Sequence, residues 1–458
     1  MPTLVNIWIL LSAFAVGAGW LLSTAHELNR SGYAAAFALA AVAFVVFFTK
    51  VERRPRMEWH RVLSKARRRF RRPAPCLFLV LVCLSLAAGF LYAPADADSN
   101  AYRIPRVLHW LGAGQWHWIS TMDIRMNISG CGFEWLSAPA ILFTDSFRFI
   151  FVINWISFLL MPGLIFSVFV RLQVPPRVAW WWMWLLASGW CYAMQASSII
   201  NDSFATVYAL ASVDLALRAR TSGKITDAWL SLIAAALLTG AKQTIVPLAL
   251  VCAVAILPCL NLLRARPLGS IVILIGALFV SAGPLFFFNR QHTGLWLGVP
   301  PNSGTQAMFW ARCEPDSPLW GIVGNAFCIP AQNLAPPIFP WAGRWNEMMK
   351  HFLQTPFGSH FNSFEDFGRL GRAVTAGDAG LGLAIWLLAF ISILGARRFG
   401  KFSTLSGEDH FCACCVGLHF WSCWCLWQKL VRMPMRGNWR LIMCFFSRRC
   451  WSPPDSPA

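Results

Sequence analysis

The feature that most constrains this chain is a series of long apolar stretches that recur along most of its length. Two of them, residues 4–23 and 33–49, are separated by a short polar connection. Each is close to the roughly 20 residues with which a helix crosses a bilayer. Only 13% of the 458 residues are charged, whereas a soluble domain has about 25%. The sequence therefore predicts an integral membrane protein. It excludes a soluble enzyme, a disordered regulator and a disulfide-stapled secreted domain.

Further apolar stretches extend this pattern towards the carboxyl terminus. They lie at residues 74–94, 148–170, 178–195, 203–217, 228–241, 244–262, 268–288 and 379–396. Together with the first two they predict about ten spans. The two stretches on either side of Lys242 are short and are candidates for broken helices. We therefore expect an all-α fold: a polytopic transmembrane helix bundle whose outer-face loops carry short helices.

The basic residues indicate how these spans are oriented. The linker at residues 50–73 contains 11 Lys and Arg but two Glu between positions 50 and 72. By the positive-inside rule such a linker is cytoplasmic, where it can lie against the headgroups of membrane lipids. The outer segments 95–147 and 289–378 are close to charge balance. The net charge of +19 is thus explained by topology, with both termini cytoplasmic and no nucleic-acid partner.

The composition divides the chain into a membrane domain, residues 1–401, and a tail, residues 402–458. The tail contains seven of the 15 cysteines, crowded together with Trp and Arg without helical or strand periodicity. Its cysteines do not repeat as paired knuckles, and His410 and His419 fit no familiar zinc pattern. We interpret the tail as out-of-frame translation in place of the last spans, and a metal site is the alternative that its cysteines leave open.

Ionisable residues at a membrane surface are costly and are therefore functional candidates. Asp98 follows an outward-going span, and its carboxylate can act as a general base or bind a metal or a sugar hydroxyl. Arg103 and Arg106 lie three residues apart, so they can share one face of a short helix and hold a phosphate. In the competing interpretation, Asp98 only caps that helix and the arginines reach to lipid headgroups. The residue types alone leave both open.

Three other positions stand out for similar reasons. Asn201 and Asp202 precede a later apolar stretch, where Asp202 is either a helix cap or part of a site on the outer side. Lys242 interrupts an apolar stretch; it either snorkels or pairs with a carboxylate, or it supplies a point charge for a lipid-linked phosphate. Glu134, late in the first outer loop, is a weaker candidate. The chain has no Walker loop and no dinucleotide signature, which favours a donor that already lies in the membrane.

These motifs resemble a known group of enzymes. The run from Asp98 to Trp110, Asp-Ser-Asn-Ala-Tyr-Arg-Ile-Pro-Arg-Val-Leu-His-Trp, resembles the first outer loop of bacterial membrane glycosyltransferases of the GT-C type. The nearest families are those like the protein mannosyltransferases and the aminoarabinose transferases. Arg103 stands where these families commonly have His, and Glu134 resembles a glutamate late in their first loop.

Two later segments extend the resemblance, which covers residues 74–300. The segment from Gln195 to Asp202 resembles a second motif, in which a carboxylate opens a later span. Gly240-Ala-Lys242 resembles a Thr-Lys-Gly element, although Gln243 stands where Gly is usual.

The resemblance implies an enzyme that transfers a sugar from a polyprenyl-phosphate donor to a lipid, glycan or protein acceptor. It places the reaction at the periplasmic face of the bacterial inner membrane. Asp98 would deprotonate the acceptor, Asp202 would orient the site or help bind an acceptor or metal, and Arg106 and Lys242 would bind the donor phosphate. The remaining residues implied in substrate binding are Tyr102, Arg103, Glu134 and Asn201. A divalent cation, Mg²⁺ or Mn²⁺, is left open.

Two competing hypotheses belong to other classes. One is a transporter or flippase for a lipid-linked sugar, although the sequence shows no clear inverted repeat. The other is an inactive, truncated relative, because the residues after position 401 do not resemble the final helices of such families.

Overall fold

A computed structural model describes residues 2–50, 64, 67–96, 98–242, 248–298, 342–358, 381, 385, 387 and 388. The predicted tail at 402–458 lies outside the described residues, as do most of the linker 50–73, most of the outer segment 289–378 and most of the span predicted at 379–396. Within the described ranges every regular element is a helix. The predicted all-α class is thus confirmed for this part of the chain.

The helices are numbered here in chain order. They are α1 (Pro2–Thr24), α2 (Arg30–Lys50), α3 (Pro73–Leu91), α4 (Ile104–Ala113), α5 (Arg125–Ile128), α6 (Gly132–Thr144), α7 (Val152–Arg171), α8 (Pro176–Ala187), α9 (Trp190–Gln195), α10 (Asp202–Ser222), α11 (Ile225–Ala241), α12 (Leu248–Ile256), α13 (Leu260–Arg264), α14 (Pro267–Val280), α15 (Gly283–Thr293) and α16 (Ala342–Gln354). A single π-helical turn, Ser99–Arg103, precedes α4, and a 3₁₀ turn, Leu257–Cys259, joins α12 to α13.

Three of the described helices are long and apolar enough to cross a membrane: α1 over Leu4–Thr24, α3 and α7. Helices α14 and α15 meet at a bend of 52° and would add a fourth crossing if they form one broken span. Helix α11 and the stretch Leu248–Arg264 are apolar but shorter. The described residues therefore support a membrane protein with three to four spans by length and composition, and the predicted ten are not reached.

Two further predicted spans differ from the helices that form. The span predicted at 178–195 is two helices, α8 and α9, because the chain breaks at Ser188 and Gly189. The span predicted at 203–217 corresponds to α10, which carries Asp202, Asp214 and Arg218 and is too polar for a lipid-facing helix.

Helix α10 is the centre of the bundle. Every residue from Asp202 to Ala216 is buried, so the helix is covered on all sides. It packs against α7, α11 and α12. Hydrogen bonds fix its orientation, because Tyr208 donates to Ser12 of α1 at 2.6 Å. Near its far end, Arg171 of α7 pairs with Asp214 at 2.7 Å. A helix held in this way presents its first residue, Asp202, at a fixed place.

Two glycines bring three backbone segments into direct contact. A Cβ atom added to Gly130 would lie 2.6 Å from the carbonyl oxygen of Gly240, at the end of α11. A Cβ atom added to Gly240 would lie 2.6 Å from the carbonyl oxygen of Val280, at the end of α14. Only glycine permits so close an approach. The loop before α6 is thereby seated directly on the end of α11, which in turn contacts the end of α14.

Candidate functional site

The two predicted arginines are placed by the turn that precedes α4. The Asp96 carboxylate accepts a hydrogen bond from the backbone N–H of Ser99 at 2.8 Å and fixes the start of this π-helical turn. The turn runs directly into α4, where Pro105 occupies the first turn and its missing N–H costs nothing. Arg103 and Arg106 therefore lie on the same, buried side of this segment, as their spacing predicts.

Glu134, at the start of α6, binds both arginines. Arg103 Nη1 lies 3.0 Å from Glu134 Oε1, and Arg106 Nη2 pairs with the same oxygen. The three side chains are between 0% and 3% exposed. Arg106 also donates to the carbonyl oxygens of Ser129 at 2.9 Å and Gly130 at 2.6 Å. In this conformation Arg106 has no surface open to a phosphate, and it fastens α4 to the loop before α6.

Tyr102 lies among three guanidinium groups. Its ring centroid is 5.0 Å from the Cζ atom of Arg103, 5.5 Å from that of Arg106 and 4.8 Å from that of Arg125. The negative face of an aromatic ring attracts such cations. Burial raises the pKa of the Tyr102 phenol above its ordinary value. The ring is therefore neutral at physiological pH, and its hydroxyl can donate to Asp98 Oδ2 at 3.4 Å.

Asp98 lies at the more open end of this arrangement. Arg125 Nη1 is 3.1 Å from Asp98 Oδ1, and the Asp98 and Arg125 side chains are 38% and 31% exposed. Arg125 is in turn held by Asp123, with 2.6 Å between Nη2 and Oδ2. This hydrogen bond raises the pKa of Arg125. Arg125 and Asp123 were not among the predicted site residues. The Asp-x-Arg spacing in the first outer loop was the signal that could have identified them.

Asn201 connects the arginines to the helix ends. Arg103 Nη2 donates to Asn201 Oδ1 at 2.7 Å, across 98 residues of sequence. Asn201 Nδ2 donates to the carbonyl oxygen of Ala241, the last residue of α11, at 2.5 Å. Asn201 makes no side-chain capping hydrogen bond to α10, so its amide serves these longer-range contacts.

Asp202 and Lys242 form an ion pair beside Asn201. Lys242 Nζ lies 2.5 Å from Asp202 Oδ1, and the two side chains are 22% and 4% exposed. Lys242 follows α11 in an extended conformation. Of the alternatives set out for Lys242, pairing with a carboxylate is confirmed. The alternative that Asp202 caps α10 is wrong, because Asp202 is already the first helical residue and the N-cap position belongs to Asn201.

Polar side chains hold the second motif in place. Gln195 Nε2 donates to Asp202 Oδ2 at 3.2 Å, and Gln195 Oε1 accepts from the backbone N–H of Ser203 at 2.9 Å. Asn154 of α7 donates to the carbonyl oxygens of Ser198 at 2.8 Å and Ile200 at 2.7 Å. Sequence reasoning missed Asn154, although a single amide within the apolar stretch 148–170 is the kind of residue that buried backbone carbonyls require.

The structure thus brings all eight predicted site residues into one arrangement, which we call the polar cluster. It consists of Asp98, Tyr102, Arg103, Arg106, Asp123, Arg125, Glu134, Asn201, Asp202 and Lys242. Its four basic and four acidic side chains are joined by ion pairs. The cluster is therefore neutral as a whole. To bind one of its basic side chains, an anionic substrate has to displace the carboxylate that is paired with it.

The polar cluster does not fit a divalent cation in this conformation. Among the described residues no three His, Cys, Asp or Glu side chains come together as metal ligands. Asp98 and Asp123, the carboxylates at the open end, are bridged by Arg125, whose charge occupies the place that a cation would take.

Comparison of the chain with family models, with curated proteins and with solved structures gives no match. The resemblance of its motifs to GT-C glycosyltransferases therefore stays a prediction.

Proposed function

We propose that the protein is an integral membrane glycosyltransferase. It transfers a sugar from a polyprenyl-phosphate donor to a lipid, glycan or protein acceptor at the periplasmic face of the bacterial inner membrane. The observation that carries this proposal is the convergence of motifs from distant parts of the chain. The contact between Arg103 and Asn201, 98 residues apart, brings two of them together, and the ion pair between Asp202 and Lys242 adds the third.

Asp98 is the general base in this proposal. A base has to reach the proton that it removes. Asp98 is 38% exposed, whereas Glu134 and Asp202 are 1% and 4% exposed. Arg125 holds Asp98 Oδ1 at 3.1 Å, but among the described residues Oδ2 has only the long contact of 3.4 Å with the Tyr102 hydroxyl. Oδ2 is therefore the oxygen that accepts the proton of the acceptor nucleophile.

Lys242 is the cation that meets the donor phosphate. It is 22% exposed, whereas Arg103 and Arg106 are 3% and 0% exposed. Arg125 is 31% exposed, but two carboxylates already hold it. During transfer the acceptor oxygen forms a bond to the anomeric carbon and the bond from that carbon to the phosphate oxygen breaks. Negative charge then grows on the departing polyprenyl phosphate, where a positioned cation stabilises the transition state. Asp202 orients Lys242 before the donor arrives.

Arg103, Arg106 and Glu134 have a different task in this scheme. Arg106 fastens the loop carbonyls and Glu134, and Glu134 holds Arg103 so that its second nitrogen reaches Asn201. The arginines therefore position the segment that carries Asp98 against the start of α10 and the end of α11. Arg106 does not contact the donor in the described conformation. This revises the role that the resemblance implied for Arg106.

The proposal is tested with membranes that contain the full chain and radiolabelled polyprenyl-phosphate sugars. Asp98→Asn keeps the shape of the side chain but removes its basicity, and we expect transfer to fall at least about 100-fold. Asp145→Asn is the matched control, because Asp145 lies in the same loop, is 78% exposed and pairs only with Arg30 among the described residues. The control should retain normal transfer.

Two outcomes would contradict the proposal. Normal transfer by Asp98→Asn, at an unchanged amount of inserted protein, removes the assigned base. Movement of labelled lipid between the leaflets of proteoliposomes, without any glycosylated product, supports the alternative of a flippase.

A further inference from the structure

A second concentration of arginines lies at the start of α3. Five of the six residues from Arg67 to Arg72 are arginine, and all five are exposed. None of them is paired with a carboxylate of the described chain, in contrast to the arginines of the polar cluster. The remaining residue of the run, Phe70, is the one that packs inward.

Phe70 anchors this run to α8. Its ring contacts that of Trp184 edge to face, with 6.0 Å between the centroids. Trp184 also contacts Phe78 of α3 at 5.5 Å and Trp180 at 5.6 Å. Trp184 is buried, so these aromatic rings fix the position of the arginine run on the surface of the bundle.

Two of the arginines meet on one indole ring. The Cζ atoms of Arg69 and Arg72 each lie 5.7 Å from the ring of Trp180. The backbone turns between them, since the N–H of Arg72 donates to the carbonyl oxygen of Arg69 at 3.2 Å, and this turn holds both residues beside Trp180. Two guanidinium groups on one ring are like charges that repel each other, and no described carboxylate offsets them. An anion that contacts both guanidinium groups would therefore stabilise the arrangement.

The position of this pair indicates which anion is available. Directly after it, α3 exposes Leu77, Leu79 and Leu84, which are 58%, 42% and 60% exposed and require lipid as their solvent. At a rise of about 1.5 Å per residue, Leu77 lies only about 8 Å along the helix from Arg72. The arginines therefore lie at the level of the headgroups, where tryptophans such as Trp180 are also enriched.

We propose that Arg69, Arg72 and Trp180 form a binding site for the headgroup phosphate of an anionic phospholipid such as phosphatidylglycerol. The guanidinium groups donate to the phosphate oxygens, the indole ring keeps both groups in place, and the acyl chains lie along the apolar surface of α3. Helix α3 separates this site, which we call the lipid site, from the polar cluster. The proposal does not depend on the glycosyltransferase activity.

The test is the number of lipids that the full chain retains in mild detergent, counted by native mass spectrometry after addition of phosphatidylglycerol or phosphatidylcholine. The wild type should retain phosphatidylglycerol preferentially. The double variant Arg69→Gln/Arg72→Gln should lose at least about tenfold in apparent affinity. Arg67→Gln/Arg68→Gln is the matched control, since it removes the same charge from the same run away from Trp180, and it should lose less than about threefold.

Two further variants distinguish a built site from surface charge. Trp180→Leu keeps all arginines and should still weaken retention, because the two guanidinium groups lose their common support. Arg69→Lys/Arg72→Lys keeps both charges and serves if the glutamine variant fails to fold; it should lower retention of phosphatidylglycerol because lysine lacks the planar fork.

Several results would overturn the proposal. Equal losses in the two glutamine variants would mean that only bulk charge matters. Equal retention of both lipids by the wild type would mean that the site does not select an anionic headgroup. Displacement of the lipid by millimolar inorganic phosphate would assign the site to a free anion, and tight capture of a short RNA that depends on Arg69 and Arg72 would assign it to nucleic acid.

Discussion

The polar cluster and the lipid site use the same residue, arginine, in opposite ways. In the cluster, Arg103 and Arg106 are buried and share the Glu134 carboxylate. At the lipid site, Arg69 and Arg72 are exposed, rest on Trp180 and have no carboxylate partner in the described chain. A buried charge has to be paired within the protein because the cost of its desolvation is otherwise not offset. An exposed charge at a membrane surface can leave that pairing to a ligand. The charges of the polar cluster are thus balanced within the protein, whereas those of the lipid site need an external anion.

The largest effect is expected from Glu134→Gln. The substitution preserves the side-chain shape but leaves two buried guanidinium groups without their carboxylate. Breaking a buried ion pair in this way costs about 3–5 kcal/mol. We expect this decrease in the free energy of unfolding when the purified protein is titrated with denaturing detergent. A change below about 1 kcal/mol would show that water enters the cluster and that its burial is not essential.

A smaller loss of stability is expected when Asp202 or Lys242 is substituted alone, and part of it should be recovered when both are substituted together. Asp202→Asn and Lys242→Gln each leave one partner unpaired and should each lower the free energy of unfolding by about 1–3 kcal/mol. The double variant restores neutrality and should be more stable than the sum of the two losses predicts. Strict additivity in this double-mutant cycle would mean that the ion pair contributes nothing, and it would weaken the comparison with the buried arginines.

The effect of Cys131 on the pH dependence of stability tests whether water reaches the inside of the cluster. Burial raises the pKa of the Cys131 thiol from 9.0 to about 12. The unfolded chain therefore releases this proton above about pH 9, whereas the folded protein retains it. Stability is unaffected below pH 9 and decreases as the pH rises towards 12, by at most about 1.4 kcal/mol per pH unit from this group. Cys131→Ala should show a shallower decrease between pH 9 and 10, and identical slopes would place the thiol in contact with water.

The smallest effect is expected at the arginine run. Arg68→Gln removes an exposed charge that has no partner in the described chain, so the free energy of unfolding should change by less than about 0.5 kcal/mol. The measurement is the same detergent titration as for Glu134→Gln. A loss above about 1 kcal/mol would mean that Arg68 contributes to the stability of the fold. The arginine run would then resemble the polar cluster, whose arginines are paired within the protein.

Eight of the ten members of the polar cluster are predicted from sequence, but Asp123, Arg125 and the internal pairing are not. Polar residues at the ends of apolar stretches are rare and costly, which singled out Asp98, Asp202 and Lys242. The partner of Arg106 was not predictable, because the carbonyls of Ser129 and Gly130 reach it only after the loop has folded over α4. For the same reason the sequence could not indicate that Arg106 is fully buried.

The fold class followed from the apolar stretches, but the number of spans did not. Hydropathy alone treats residues 178–195 as one stretch, although the dipeptide Ser188-Gly189, at which the helix breaks, is a turn signal. The bend of 52° between α14 and α15 is equally missed by hydropathy, because apolar residues continue on both sides of it, although Gly283-Pro284 is a turn signal at that place. Helix α10 shows the converse: a helix covered on all sides by protein does not need an apolar sequence throughout.

The contact of Gly130 with Gly240, and of Gly240 with Val280, has a consequence for how this protein can evolve. A site supported by side chains can drift, because one packing residue can replace another of similar volume. Here one backbone segment packs directly against another, and a Cβ atom added to either glycine would lie 2.6 Å from a carbonyl oxygen. Even a substitution by alanine would therefore push the two segments apart. New substrate specificities are therefore accessible mainly through substitutions at the open end of the cluster, around Asp98 and Arg125. The glycine contacts that support this end cannot change with them.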